Sequence, residues 1–192
     1  MDYLIPHGMT LASAQRALGE RLALLGGKEG ATDRVYYDTF DGRLHGAGLV
    51  AVHERDELRL LERGSGLMQA RAPLARPTAG VFSSDLPPGS LRDRLSRLIE
   101  VRALLPVAAV RGRQRPLDVL DRERKTVARI RLEQSRAGRK RLRSRATLVP
   151  VRGYAKALRR VGLALHDELN FQPAEVPLID EAITAAGGRP AG

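Results

Sequence analysis

A chain of 192 residues with 43% hydrophobic content can enclose one sizeable core, and no apolar run in it approaches the roughly 20 residues that span a bilayer. The absence of cysteine excludes disulfide frameworks and thiolate metal sites, and 4% aromatics without tryptophan leave little for stacking bases. The net charge of +11 is unevenly placed: residues 100–160 hold 19 Lys and Arg against five acids, a local charge of +14, while the rest hold 14 against 17.

Met1-Asp2-Tyr3-Leu4-Ile5-Pro6 has neither the basic region nor the apolar stretch of a signal peptide, so a cytoplasmic location is expected. Tyr3 to Pro6 reads as a short strand. Thr10 caps an expected helix whose apolar positions Leu11, Ala14, Leu18, Leu22 and Leu25 keep a helical period up to Gly26-Gly27. Arg34 to Phe40 is β-branched and aromatic, hence a strand, closed by the turn Asp41-Gly42. Gly48 to Arg55 and Glu57 to Arg63 read as strands paired around Asp56, with Leu67 to Ala72 as another. Pro73 to Gly89 reads as loop with one strand at Val81-Phe82-Ser83, and Ser90 as the cap of a helix carrying Leu91, Leu95, Leu98 and Ile99.

From Pro106 the period becomes two. Along Val107 to Arg115 one face carries Arg111, Arg113 and Arg115; along Val127 to Glu133 one face carries Arg129, Arg131 and Glu133. From Arg139, the residues Arg139, Arg141, Arg143 and Arg145 alternate with Lys140, Leu142, Ser144 and Ala146. A helix is expected from Tyr154 to His166, with Ala157, Leu158, Val161 and Leu165 as its apolar stripe. A last helix is expected from Leu178 to Ala186, followed by a linker of residues 187–192.

A single strand of this kind is ordinarily a solvated sheet face. Three in succession are less easily explained, because like charges opposite one another across strands destabilise a sheet, and few acids lie nearby in sequence. The expectation is that Arg111, Arg113, Arg129 and Arg131 share one concave channel whose counter-ion is a phosphate-rich ligand. Arginine outnumbers lysine 29 to four, and its rigid donor fork matches phosphate oxygens. His7, His45, His53 and His166 show no metal-ligand spacing, Gly26-Gly27-Lys28 lacks the spacing of a phosphate loop, and Ser83-Ser84 has no base beside it.

Several stretches, in order, resemble the triphosphate-tunnel (CYTH) family, in the variant found N-terminal to CHAD domains in bacteria. They are Val35-Tyr-Tyr-Asp-Thr-Phe-Asp-Gly-Arg-Leu-His-Gly-Ala-Gly-Leu49, Leu86-Pro-Pro-Gly-Ser-Leu-Arg92, Val101-Arg-Ala-Leu-Leu-Pro106, Pro150-Val-Arg-Gly-Tyr154 and Leu178-Ile-Asp-Glu-Ala182. The resemblance implies an α+β fold, an antiparallel barrel of roughly eight strands with flanking helices, as a tunnel domain over residues 1–170 followed by a short helix and linker over 171–192. It places Arg63 at the end of the fourth strand and Arg111, Arg113 and Arg115 at the basic positions of the strand after the helices. Arg129, Arg131 and Arg143, from the alternating rows, complete the expected phosphate-binding set. Glu133 falls where the family has a metal-binding acid. Asp2 stands where the first strand has a lysine, the third strand offers only His53 or Arg55, and the last strand, Arg145 to Val149, lacks a carboxylate.

One acid does not hold Mg²⁺ against its hydration shell. The expected function is therefore non-catalytic binding of inorganic polyphosphate or triphosphate, with no catalytic residue and no required cofactor; Mg²⁺ or Mn²⁺ enters only if the domain is an enzyme. CHAD domains are associated with polyphosphate, so a following CHAD domain and a location at polyphosphate granules belong to the same expectation, and no membrane partner does. The alternative is a Mg²⁺-dependent triphosphatase whose glutamate motif precedes Met1. A third reading, nucleic-acid binding, has the basic stretch in its favour but neither aromatics nor a recognition helix.

Overall fold

The computed structural model describes residues Met1–Gly187; of the expected linker over residues 187–192, all but the first residue lie outside them. Strand β1, Asp2–Leu4, leads to helix α1, Leu11–Gly19. The cap of α1 is reciprocal: Ser13 N–H donates to Thr10 Oγ1 at 3.1 Å, and Thr10 N–H donates to Ser13 Oγ at 2.9 Å. The helix stops well short of the expected Leu25. Leu24–Gly26 instead forms a strand, β2, because a distant strand offers it a backbone edge to pair with. Glycine is required there: a Cβ on Gly27 would sit 2.7 Å from Pro116 Cγ.

Strand β3, Gly30–Asp38, is followed by one turn of helix that the sequence reading did not place, α2, Arg43–Gly46. Strands β4, Leu49–Glu54, β5, Glu57–Glu62, and β6, Met68–Pro73, come next. The expected strand at residues 81–83 reduces to one bridge, Val81 with Leu104, before a 3-10 turn at Ser83–Asp85. In α3, Ser90–Ile99, Ser90 is the first helical residue and Gly89 the cap, so the serine does not cap as expected. Gly89 has φ +150° and ψ −178°, a backbone conformation open to glycine alone, and that lets the chain enter the helix without a side-chain acceptor.

Strand β7, Leu105–Leu120, and β8, Thr126–Ala137, are both longer than their alternating cores. The expected third Arg strand is divided. Gly138, at φ +56°, turns the chain, β9 is only Lys140–Arg141, and β10, Arg145–Pro150, begins after a break. Helix α4, Ala155–Leu163, widens into a π turn at Ala164–Glu168, and β11, Gln172–Pro173, and α5, Leu178–Ala185, complete the chain.

The strands form one antiparallel sheet in the order β11-β1-β10-β8-β7-β3-β4-β5-β6, with β2 added to β7 and β9 to β8. The α+β class, antiparallel sheet and flanking helices are as expected; among the described residues eleven strands are counted, of which β2, β9 and β11 are short pairings of two or three residues added to the eight. Two compact units arise, neither continuous in sequence: Met1–Thr32 with Gly112–Arg136 and Arg141–Glu175, and Asp33–Arg111 with Ala137–Lys140 and the segment from Val176. The first is built on Leu11, Ala14 and Leu18 of α1 against Ile130, Leu132, Ala146 and Leu148, with Phe171 fully buried. The second sets Leu91, Leu95 and Ile99, one face of α3, against Tyr37, Ala51, Leu58 and Leu60.

The β4–β5 hairpin turns through Arg55 and Asp56, at φ 53° and 56°. Two consecutive left-handed residues are the signature of a turn that favours Asn-Gly. The double substitution Arg55→Asn/Asp56→Gly should stabilise the protein by about 1 kcal/mol, read as a rise in the urea midpoint. An unchanged or lower midpoint would show that these two side chains offset their own backbone strain.

Candidate functional site

In the first unit, one face of β1, β10 and β8 packs on the core and the other carries the charges. Tyr3, Ala146, Leu148, Ile130 and Leu132 point to the core. The alternate residues meet in register on the opposite face: Leu4 against Arg145 against Glu133, and Asp2 against Thr147 against Arg131, with Arg129 against Val149. Arg145 is 4% exposed and Glu133 7%, so a guanidinium and a carboxylate are both withdrawn from water on neighbouring strands. Directly opposed side chains have Cβ atoms about 5 Å apart, within ion-pairing reach for Arg and Glu. Arg129 Nε lies 3.3 Å from Asp118 Oδ1, whereas Arg131 is exposed and makes no ion pair among the described residues.

The arginines of β7 do not share this face. Leu117 and Val119 belong to the core, and Arg113 and Arg115, two and four residues before Leu117, project to the same side of the strand. Arg115 Nη1 donates to Gln15 Oε1 of α1 at 2.8 Å and its Nη2 to Glu29 Oε2 at 2.7 Å, with Arg113 Nη1 3.5 Å from Glu29 Oε1. Arg111, in the second unit, has its Nε 3.2 Å from Asp33 Oδ2, which Arg76 also contacts at 3.1 Å. The expected shared channel of Arg111, Arg113, Arg129 and Arg131 is thus corrected: β7 and β8 are neighbours, but their arginine rows face opposite ways. The few acids expected nearby are supplemented from a distance: Glu29 and Asp33 come from elsewhere in the chain to pair with the β7 arginines, while Asp118 of β7 itself pairs with Arg129. Of the remaining expected phosphate ligands, Arg63 is paired with Asp180 of α5, and Arg143 is exposed in the break between β9 and β10.

The second unit has its own charged face, which sequence reasoning missed. Val35, Tyr37, Ala51, Leu58, Leu60, Ala70 and Ala72 pack on the core, so the alternate residues of β3 to β6 face the other way. There Arg34 Nε meets Glu54 Oε1 at 3.2 Å, Arg59 Nη1 meets Glu54 Oε2 at 3.2 Å, Arg59 Nε meets Glu57 Oε2 at 2.5 Å and Arg71 Nη1 meets Glu57 Oε1 at 3.3 Å. The Arg59 hydrogen bond holds the Glu57 carboxyl below the usual carboxylate range. His53, an expected basic candidate, lies on the core side and bonds the Leu74 carbonyl oxygen at 2.9 Å. The period-two pattern could have revealed this ladder, because Glu54, Glu57 and Arg59 alternate with apolar core residues.

Metal fit is poor on the face that holds Glu133. The residue opposite this carboxylate is the Arg145 guanidinium, and Asp2 lies two strands away and two residues along. Among the described residues no three His, Asp or Glu side chains gather as a metal ion would need. No helix of the described residues is long and apolar enough to cross a membrane.

No protein-family model and no curated protein matches the sequence. Solved structures do match the fold. One is HpAC1 from Hippeastrum, a candidate adenylyl cyclase described as having a dominant triphosphatase activity, at 14% identity with a TM-score of 0.58 over 98% of this chain and 95% of that one. At that identity the likeness establishes the fold alone: an antiparallel sheet with flanking helices.

Proposed function

We propose that this domain binds a triphosphate or polyphosphate anion on the Arg129–Arg131–Arg145 face of its first unit and does not hydrolyse it. The observation that carries this reading is the arrangement of that face. The exposed Arg131 is free to engage a ligand, Arg129 shares Asp118 and stands two residues along the same strand, and the buried Arg145 adds a fixed positive charge below them. Thr147, opposite Arg131, supplies a hydroxyl that can donate to a phosphate oxygen. The fold of HpAC1, whose described activity is on triphosphates, supports the ligand class. The reading without hydrolysis is supported by Arg145 standing opposite Glu133, a guanidinium where a carboxylate would be needed to share a metal ion.

Calorimetric titration with tripolyphosphate in metal-free buffer tests the binding. Arg131→Ala should weaken it about tenfold or more, since a charge-assisted contact contributes roughly 1.5–3 kcal/mol and 1.4 kcal/mol is one decade. Affinity unmoved by Arg131→Ala and by Arg129→Ala would reject this face as the site.

The activity described for HpAC1 favours one second reading, a metal-dependent triphosphatase. With Mg²⁺ or Mn²⁺ the wild-type protein should release no phosphate above a boiled control. Release that disappears on Glu133→Gln would establish the enzyme instead.

A further inference from the structure

Most of the positive charge that no acid offsets lies away from this face. Among the described residues, Arg122, Arg124, Arg152, Lys156, Arg159 and Arg160 are exposed, and none has a hydrogen-bond or ion-pair partner through its side chain. All six belong to the first unit. Arg122 and Arg124 occupy the turn between β7 and β8. Pro150, the end of β10, is level with Ala128 of β8, so Arg152 leaves the sheet beside that same turn. Lys125, in the same turn, donates from Nζ to Glu123 Oε2 at 2.6 Å, and Tyr154, two residues after Arg152, is the N-cap of α4. Along α4, Lys156, Arg159 and Arg160 share the face left outward when Ala157, Leu158 and Val161 pack on the core.

We propose that this turn and helix form a docking edge for a long, flexible phosphate polymer, of which linear polyphosphate is the chemistry that fits. The edge is separate from the Arg131 face and rests on the preceding reading only in taking the ligand to be phosphate. Its cations run from the end of the sheet onto α4, which lies over the core face, so a ligand touching all of them must bend around an edge. Duplex DNA, with a persistence length of about 50 nm, meets one side or the other. Single-stranded nucleic acid gains its affinity from stacking on aromatic rings, and the edge offers only the half-buried Tyr154. Polyphosphate needs neither rigidity nor stacking, only closely spaced cations.

The turn is built to present its arginines. Asp121 Oδ1 accepts from the Glu123 and Lys125 N–H groups, both at 2.9 Å, which fixes the backbone between them. Arg124 sits at φ +62°, a left-handed conformation that glycine adopts at less cost. The arginine there adds a charge at a position that glycine would fill at less backbone cost.

The test compares wild type with Arg122→Ala/Arg124→Gly/Arg152→Ala/Lys156→Ala, using tripolyphosphate, long-chain polyphosphate and duplex DNA at several salt concentrations. The variant should bind long-chain polyphosphate at least about tenfold more weakly, with a log–log salt slope shallower by roughly three, since each of the lost cations removes about 0.7 of a released counter-ion on a single-stranded polyanion. Tripolyphosphate affinity should not change, and Arg97→Ala, an exposed cation of α3, should move neither. Long-chain affinity equal to wild type would overturn the proposal, as would an equal loss for tripolyphosphate or a wild-type preference for duplex DNA. Failure of the Arg131 site would show separately, as tripolyphosphate binding indifferent to Arg131→Ala while the long-chain difference persists.

Discussion

Replacing Arg145 with methionine should lower folding stability by about 3–5 kcal/mol, the loss found when one member of a buried charged pair is removed. Arg145 is 4% exposed and stands opposite Glu133, 7% exposed, so methionine fills much of the volume but leaves a carboxylate in a dry place without the guanidinium across from it. The double variant Arg145→Met/Glu133→Leu should recover most of the loss, because two apolar side chains replace the pair at little net cost. Urea unfolding followed by circular dichroism reads both. A single variant within about 1 kcal/mol of wild type would show that solvent reaches this pair, and a double variant as unstable as the single would show that Arg145 acts through other neighbours. The tripolyphosphate affinity of the double variant then measures how much the buried charge contributes to binding.

Asp38→Ala should be comparably damaging, at about 3 kcal/mol or more. The Asp38 carboxylate is 9% exposed and accepts the backbone N–H groups of Thr39 at 2.7 Å, Leu44 at 2.9 Å and His45 at 2.9 Å. It thereby fixes the exit of β3 and the start of α2, placing Leu44 at 0% exposure in the second core. Hydrogen bonds to a charged acceptor contribute about 1.5–3 kcal/mol each, and alanine would leave at least two of these donors buried without a partner. Asp38→Asn keeps one acceptor oxygen and should lose less. The urea midpoint should fall at constant m-value; a small loss for the alanine variant would mean that water satisfies these donors.

Elements that depend on local chemistry were legible in the sequence. The Thr10 cap, the Leu91–Leu95–Ile99 stripe of α3 and the β4–β5 hairpin around Asp56 all appear where their patterns place them. What failed depended on partners far away. Residues 24–26 continue a helical period, and only the edge of β7 makes them a strand. The arginines of β7 share one face as expected, but the alternation was followed only to Arg115. In the protein Pro116 lies within β7, its carbonyl oxygen accepting the Gly27 N–H at 2.8 Å, and Leu117 and Val119 beyond it set the side on which Arg113 and Arg115 lie. The pairing acids were invisible for a related reason: Asp33 and Glu29 are 78 and 84 residues from the arginines they meet. Charge density within a segment shows that cations are crowded, but their neutralisation is decided by topology.

The pairing of β1 with β10 has a consequence for how the protein is made. The amino group of Met1 is bonded to the Leu148 carbonyl oxygen, 147 residues along the chain, and β1 has its other strand partner at β11, later still. On a ribosome adding roughly 5–20 residues per second, the first strand waits about 7–30 seconds before its neighbour exists. Throughout that interval Tyr3 and Ile5, both buried in the finished protein, stay exposed beside an unpaired backbone edge. Residues 33–111, by contrast, emerge as one uninterrupted run carrying most of the second unit. Synthesis therefore favours the second unit settling first, with the N-terminal strand as the segment most in need of a chaperone while the chain is still growing.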